Sequence, residues 1–219
     1  MTQAARPVLT AFEWVPPFAR GLVRDLRVRW ALEEIGRPYD IELLNARAPR
    51  PDEYLARQPF DQVPAFRDGD LDVFETGAIL LYLGEQDELL LPSDPQARWT
   101  AISWLFSALN SVEPVIVRIV FYDIFQKDKP WAPEAREASL SLCKQKLKRV
   151  NDALAGKDWL AGPFSIADIA MVTVLNNLRH TELVAEFPAL AAYHQRGTER
   201  PAYKRALDAQ FADFIEEPA

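Results

Sequence analysis

Gln62-Val63-Pro64-Ala65-Phe66-Arg67-Asp68-Gly69-Asp70-Leu71-Asp72-Val73-Phe74-Glu75-Thr76 is the stretch whose reading decides the fold. Val63–Phe66 and Leu71–Phe74 are short apolar runs flanking Asp68-Gly69, a dipeptide suited to a tight antiparallel hairpin. A helix is predicted to open at Thr76, because Ile79, Leu80 and Leu83 share one face and Gly84 supplies a stop. A hairpin running straight into a helix is the closing half of a β-α-β-α-β-β-α unit.

The opening half lies upstream. Val8 to Glu13 is apolar and β-prone, and Pro16 and Pro17 end it. Leu22, Val23, Leu26, Trp30 and Leu32 recur at helical steps before Gly36 and Pro38 stop the pattern. Tyr39 to Leu44 alternates as a second strand, joined to the first by a connection too long for a hairpin, so a parallel crossover is expected. Pro51 starts a short acidic helical turn through Tyr54 and Leu55. The order is that of a thioredoxin-like domain over residues 1–86.

Downstream, an acidic, proline-containing stretch marks an interdomain linker at about residues 87–94. Beyond it the patterns are helical, near 95–126, 133–155, 166–180, 187–195 and 199–208. The second domain, 95–219, is therefore expected to be all-helical. Its clearest local signal is Ser165-Ile166-Ala167-Asp168: Ser165 can cap helix amides, and Asp168 three residues on can reach back, as in a capping box. The first long helix of this half also carries Trp104, Phe106, Ala108, Val117, Phe121 and Tyr122, suited to core, dimer contacts or an apolar pocket.

Composition narrows the function classes. With 32 acidic against 25 basic side chains the formal net charge is -7, which disfavours binding to nucleic-acid backbones or anionic membranes. Arg20, Arg24, Arg27 and Arg29 form the one basic cluster; interleaved with Leu22, Val23, Leu26, Val28 and Trp30, they are expected on a solvated helix face. The single cysteine, Cys143, excludes an internal disulfide and a CxxC pair, and its apolar neighbours Leu140, Leu142 and Leu147 suggest a buried thiol. His180 and His194 are too far apart for a helical metal pair, so no metal site is expected. Met1 to Thr10 lacks the apolar core of a secretory signal, and no apolar run near the roughly 20 residues of a membrane span is expected, which together suggest a cytoplasmic protein.

Four separated features make the chain resemble the cytosolic glutathione transferase superfamily: the first helix ending Val28-Arg29-Trp30-Ala31-Leu32-Glu33-Glu34, Val63-Pro64 opening the third strand, Glu75-Thr76 after the fourth, and the Ser165 to Asp168 cap. The resemblance implies a thioredoxin-like domain followed by an all-helical one, a homodimer, and reduced glutathione as co-substrate. It implies a cis bond before Pro64, with Gln62 and Val63 facing the tripeptide backbone and Val63 pairing with its cysteinyl part. The γ-glutamyl end carries an ammonium and a carboxylate. Glu75 would take the ammonium, while the Thr76 hydroxyl and the helix amides would take the carboxylate.

Such proteins usually place a Tyr, Ser or Cys near the end of the first strand, to favour the thiolate. Here Phe12 to Gly21 contains none of them, and Thr10 lies early in the strand. Arg20 is the candidate catalytic residue in their place, stabilising the thiolate by charge. The activity implied is detoxification-type conjugation of glutathione to a small hydrophobic electrophile, or exchange of its thiol with a disulfide. The alternative is a catalytically silent binding or scaffold protein of the same fold.

Overall fold

The computed structural model describes residues 6–216. The first five and last three residues, including the start of the expected leaderless segment, lie outside it. In chain order the described elements are β1 Val8–Phe12, α1 Asp25–Glu34, β2 Asp40–Leu44, α2 Asp52–Arg57, β3 Ala65–Asp68, β4 Leu71–Phe74 and α3 Thr76–Gly84. There follow α4 Pro95–Ser107, α5 Glu113–Val120, α6 Ala132–Ala153, α7 Ile166–Leu175, α8 Pro188–Thr198 and α9 Pro201–Ala212. The chain forms two compact units, one of residues up to Leu90 together with those from Pro201 on, the other of Leu91–Arg200.

In the first unit the strand order is β2-β1-β3-β4. The β1–β2 pair is parallel, with Val8 opposite Asp40, and both β1–β3 and β3–β4 are antiparallel. The parallel pair requires a crossover, which α1 supplies. Leu9, Val28, Trp30, Phe66, Ile79, Leu80 and Leu83 are fully buried between sheet and helices. Each large apolar side chain so buried contributes roughly 1.5–3 kcal/mol before chain entropy is counted.

Three expectations shift. The third strand begins at Ala65, two residues late, because Pro64 has no N–H to give a ladder. The first helix begins at Asp25: Gly21, at φ 77°, breaks the helical path after a short 3₁₀ turn at Pro17–Ala19. The solvated arginine face is corrected in part: Arg24 is exposed and Arg20 half-buried, but Arg27 and Arg29 are 3% and 1% exposed.

The last helix explains that correction. It packs on α1 in the first unit, with Tyr203 edge-on to Trp30 at 4.9 Å. Arg29 lies between the carboxylates of Asp25 and Asp213, and Gln210 Nε2 donates to Asp25 Oδ1 at 2.7 Å. Burial pushes the Asp25 carboxyl above the usual range, against the opposing pull of Arg29.

The second unit is helical throughout and centres on α7, every residue of which is buried. The α8 helix approaches it closely at Gly197, where a Cβ would stand 2.6 Å from Val172 Cγ2. The stretch Pro95–Phe125 is one helical run interrupted by π-helical turns at Ala108–Val112 and Phe121–Phe125. Contrary to expectation, this 31-residue run is long and apolar enough to cross a membrane, with a window of mean hydropathy 1.4. In this fold Leu105, Ala108, Val112, Ile116 and Ile119 are spent on the core of the unit. Cys143 is fully buried, and burial pushes its thiol up to about 11.

Candidate functional site

The end of the sheet where β1 stops and β3 begins carries most of the residues singled out from sequence. Val63-Pro64 is cis. Val63 is 6% exposed and packs with Tyr54 and Ala65, against which Phe12, Val23 and Leu44 also lie. The preceding carbonyl is fixed, because Tyr54 donates from its hydroxyl to Gln62 O at 2.6 Å. The Gln62 side chain is exposed, and its Oε1 accepts from Arg24 at 3.4 Å.

Thr10 is accounted for by the same framework. Its hydroxyl is fully buried, accepts from Ala65 N at 2.7 Å and lies 3.1 Å from the Tyr54 hydroxyl. It ties β3 to β1 rather than facing a ligand.

Glu75 and Thr76 stand at the start of α3. Glu75 is exposed and has φ 69°, ψ 121°, a positive-φ conformation that costs a non-glycine residue about 1–3 kcal/mol. It makes no capping bond to the helix, so the first-turn amides receive no side-chain acceptor from it. Thr76 is 5% exposed, and its Oγ1 accepts from Arg27 Nη1 at 3.2 Å. With a lone pair used by a guanidinium, the hydroxyl keeps its own proton to donate. A buried cation, a hydroxyl donor and a helix N-terminus thus converge where a carboxylate would be stabilised.

Sequence reading missed Arg27. Leu26, Val28, Trp30, Ala31 and Leu32 are spread around α1, but Asp25, Arg29, Glu33 and Glu34 share the helix, so no local pattern singles out Arg27. It also passed over Arg47 and Arg50 in the β2–α2 loop, whose guanidiniums lie 4.2 Å over Trp14 and 5.0 Å over Phe12. Arg50 also pairs with Asp61 at 3.1 Å, which offsets part of the charge these stacked cations bring to the sheet end.

Arg20 lies in the connection between β1 and α1. It follows the 3₁₀ turn Pro17–Ala19, is half-buried, and places its guanidinium 5.5 Å over the Phe214 ring. In the helical unit, Ala108 is buried, whereas Phe106, Val117 and Phe121 are 50%, 42% and 43% exposed.

A four-stranded β-α-β-α-β-β-α unit with a polar, cationic sheet end, followed in the chain by an all-helical unit, defines a two-part protein built on a thioredoxin-like half. Residues 9–85 match the family profile "Glutathione S-transferase, N-terminal domain", and residues 133–196 match "Glutathione S-transferase, C-terminal domain". The chain is 31% identical over 224 residues to Glutathione S-transferase 4 of Zea mays, covering 94% of each chain. It is 32% identical over 173 residues to Disulfide-bond oxidoreductase YfcG of Escherichia coli, covering 74% of this chain and 79% of that relative. A glutathione transferase family member from Pseudomonas fluorescens, solved with two glutathione bound, superposes with a TM-score of 0.82 at 26% identity over 92% of each chain. The protein belongs to the glutathione S-transferase family.

Proposed function

We propose that this chain is an enzyme that binds reduced glutathione at the sheet end of its first unit and turns the bound thiolate on a second, small substrate. The observation that carries the reading is the convergence at the start of α3: Thr76 hydroxyl, Arg27 behind it, and an uncapped helix end beside the exposed Glu75 carboxylate. The γ-glutamyl group carries opposite charges side by side, and this arrangement offers an acceptor and donors side by side. Val63 presents backbone to the cysteinyl part, with Gln62 and Pro64 shaping the strand around it.

A thiol with a pKa of about 8.5 is mostly protonated at neutral pH, so activation matters. Arg20 supplies it in this proposal, lowering the thiol pKa by charge. The thiolate then attacks an electrophilic carbon and expels a leaving group such as chloride, or attacks one sulfur of a disulfide and expels the other as a thiolate, a second glutathione completing the reduction. Protein similarity to both a transferase and a disulfide-bond oxidoreductase supports the common first step. A cytoplasmic homodimer with a detoxification role completes the proposal.

Calorimetric titration with reduced glutathione tests binding, and assays with 1-chloro-2,4-dinitrobenzene and bis(2-hydroxyethyl) disulfide separate the two reactions. Absence of binding overturns the proposal. Binding without turnover in either assay supports the scaffold alternative, which the lack of a Tyr, Ser or Cys between Phe12 and Gly21 favours.

A further inference from the structure

The connection between β1 and α1, residues 13–24, has little structure of its own. Its internal backbone bonds are turn-like, such as Ala19 N to Pro16 O at 2.8 Å and Leu22 N to Ala19 O at 3.0 Å. Loops of this length in a compact domain are commonly functional and need outside partners to hold one shape.

Leu44, Arg47 and Gln62 hold parts of the loop, through Glu13 N, the Trp14 ring and Arg24, and the C-terminal segment adds a further set of partners in order along it. Ile215 N donates to Glu13 O at 2.9 Å, at the loop's entry. The Phe214 ring lies under the Arg20 guanidinium at its middle. Gln210 Nε2 donates to Val23 O at 3.2 Å and to Asp25 Oδ1 at 2.7 Å, at its exit. Asp213 completes the ion pair with Arg29 one turn further on. Gln210 is 1% exposed, and its Oε1 has no hydrogen-bond partner among the described residues. A buried amide that leaves its oxygen unsatisfied at this position is used for the two bonds its NH2 makes.

We propose that residues Gln210 to Ile215 are a positioning element for the β1–α1 connection, and that Phe214 is the positioning residue for the Arg20 guanidinium. The second clause rests on the thiolate-stabilising role given to Arg20 above; the first does not. The tail is far from the loop in sequence and touches it at three points, so loosening the tail weakens the loop around those points while the sheet and the second unit keep their own cores.

Amide hydrogen exchange read by mass spectrometry on the full chain tests the first clause without glutathione. Phe214→Ala is expected to speed exchange across residues 13–25 by about tenfold, with α7 unchanged, and Phe214→Tyr, which keeps the ring, restores protection. Gln210→Ala provides an independent release of the loop exit should Phe214→Ala fold poorly. Unchanged exchange in 13–25 in both alanine variants overturns the proposal.

The pH–rate profile tests the second clause. Phe214→Ala should raise the kinetic pKa of bound glutathione in the same direction as Arg20→Ala, with KM for glutathione within about twofold of wild type. If the loop loosens but neither variant moves the profile, the role assigned to Arg20 falls and the positioning of the loop stands. If Arg20→Ala moves it and Phe214→Ala does not, Phe214 is not a positioning residue.

Discussion

Two helix starts in this molecule meet the same physical problem in opposite ways. At the start of α7, Ser165 and Asp168 close the helix end: Ser165 N donates to Asp168 Oδ2 at 2.9 Å, and Ser165 Oγ accepts from Ala167 N at 3.3 Å. Asp168 also accepts from Leu160 N at 3.1 Å and from the Tyr193 hydroxyl at 3.0 Å, all fully buried. At the start of α3 the residue in the capping position gives no such bond, holds an unfavourable φ and points its carboxylate outward. One start has its polar groups consumed by the fold. The other keeps donors available and accepts a local cost, which is what the glutathione site proposed above would require.

The largest effect that sharpens this contrast is expected at Asp168. Asp168→Ala leaves Leu160 N, Ser165 N and the Tyr193 hydroxyl without their buried acceptor, and should lower stability by about 3 kcal/mol. Chemical denaturation measures it, and a loss under about 1 kcal/mol would show that the closed start contributes little to stability.

Next in size is a pH effect. Burial pushes the Asp168 carboxyl up to about 6, against hydrogen bonds that favour its charged form. Its folded-state value lies above the ordinary 3.8, so the fold disfavours the charged form, and that penalty is full above about pH 6 and fades as pH falls toward 4. Stability should therefore rise by about 1 kcal/mol between pH 7 and pH 5. Asp25, also raised by burial, acts in the same direction. Asp68, where hydrogen bonds from Tyr82 and Arg37 outweigh burial, and Asp72, hydrogen-bonded by Arg67, are held low and protonate only in stronger acid. Asp168→Asn should flatten the rise; an equal slope in that variant assigns it elsewhere.

The capping box of the closed start was legible in the sequence, because it is a pattern of neighbours and neighbours are what a sequence displays; the Tyr193 bond to Asp168, from 25 positions on, was not. The hairpin around Asp68-Gly69 and the helix from Thr76 were legible for the same reason. The open start was legible only in its own two residues. Arg27, which donates to the Thr76 hydroxyl, comes from a helix 49 positions earlier, and its burial follows from α1 being covered on all sides. The burial of Arg29 depends on Asp213, 184 positions away, and no local periodicity carries that information. Thr10 was likewise opaque, since its hydroxyl serves a strand 55 positions on.

A smaller effect, and one that could break the comparison, is expected at Glu75. Glu75→Gly removes the penalty on a positive φ, and after the added chain entropy of glycine should raise stability by about 1 kcal/mol. The same change removes the proposed acceptor for the ammonium group and should weaken glutathione binding about fivefold. Thermal melts and calorimetry on one preparation read both. A variant that is more stable and binds equally well would mean that the strained conformation serves something other than the ligand.

The smallest effect should come from Thr76→Ser, which keeps the hydroxyl that accepts from Arg27 and removes only a methyl group. If the start of α3 is used for its hydroxyl, affinity for glutathione should stay within about threefold of wild type, a difference under about 0.7 kcal/mol. Thr76→Val, of similar volume, leaves the buried Arg27 donor facing a methyl and should cost affinity and stability together. Should serine weaken binding as much as valine, the methyl group would be the working part of Thr76. The start of α3 would then be a packed helix end like that of α7, reached by different residues.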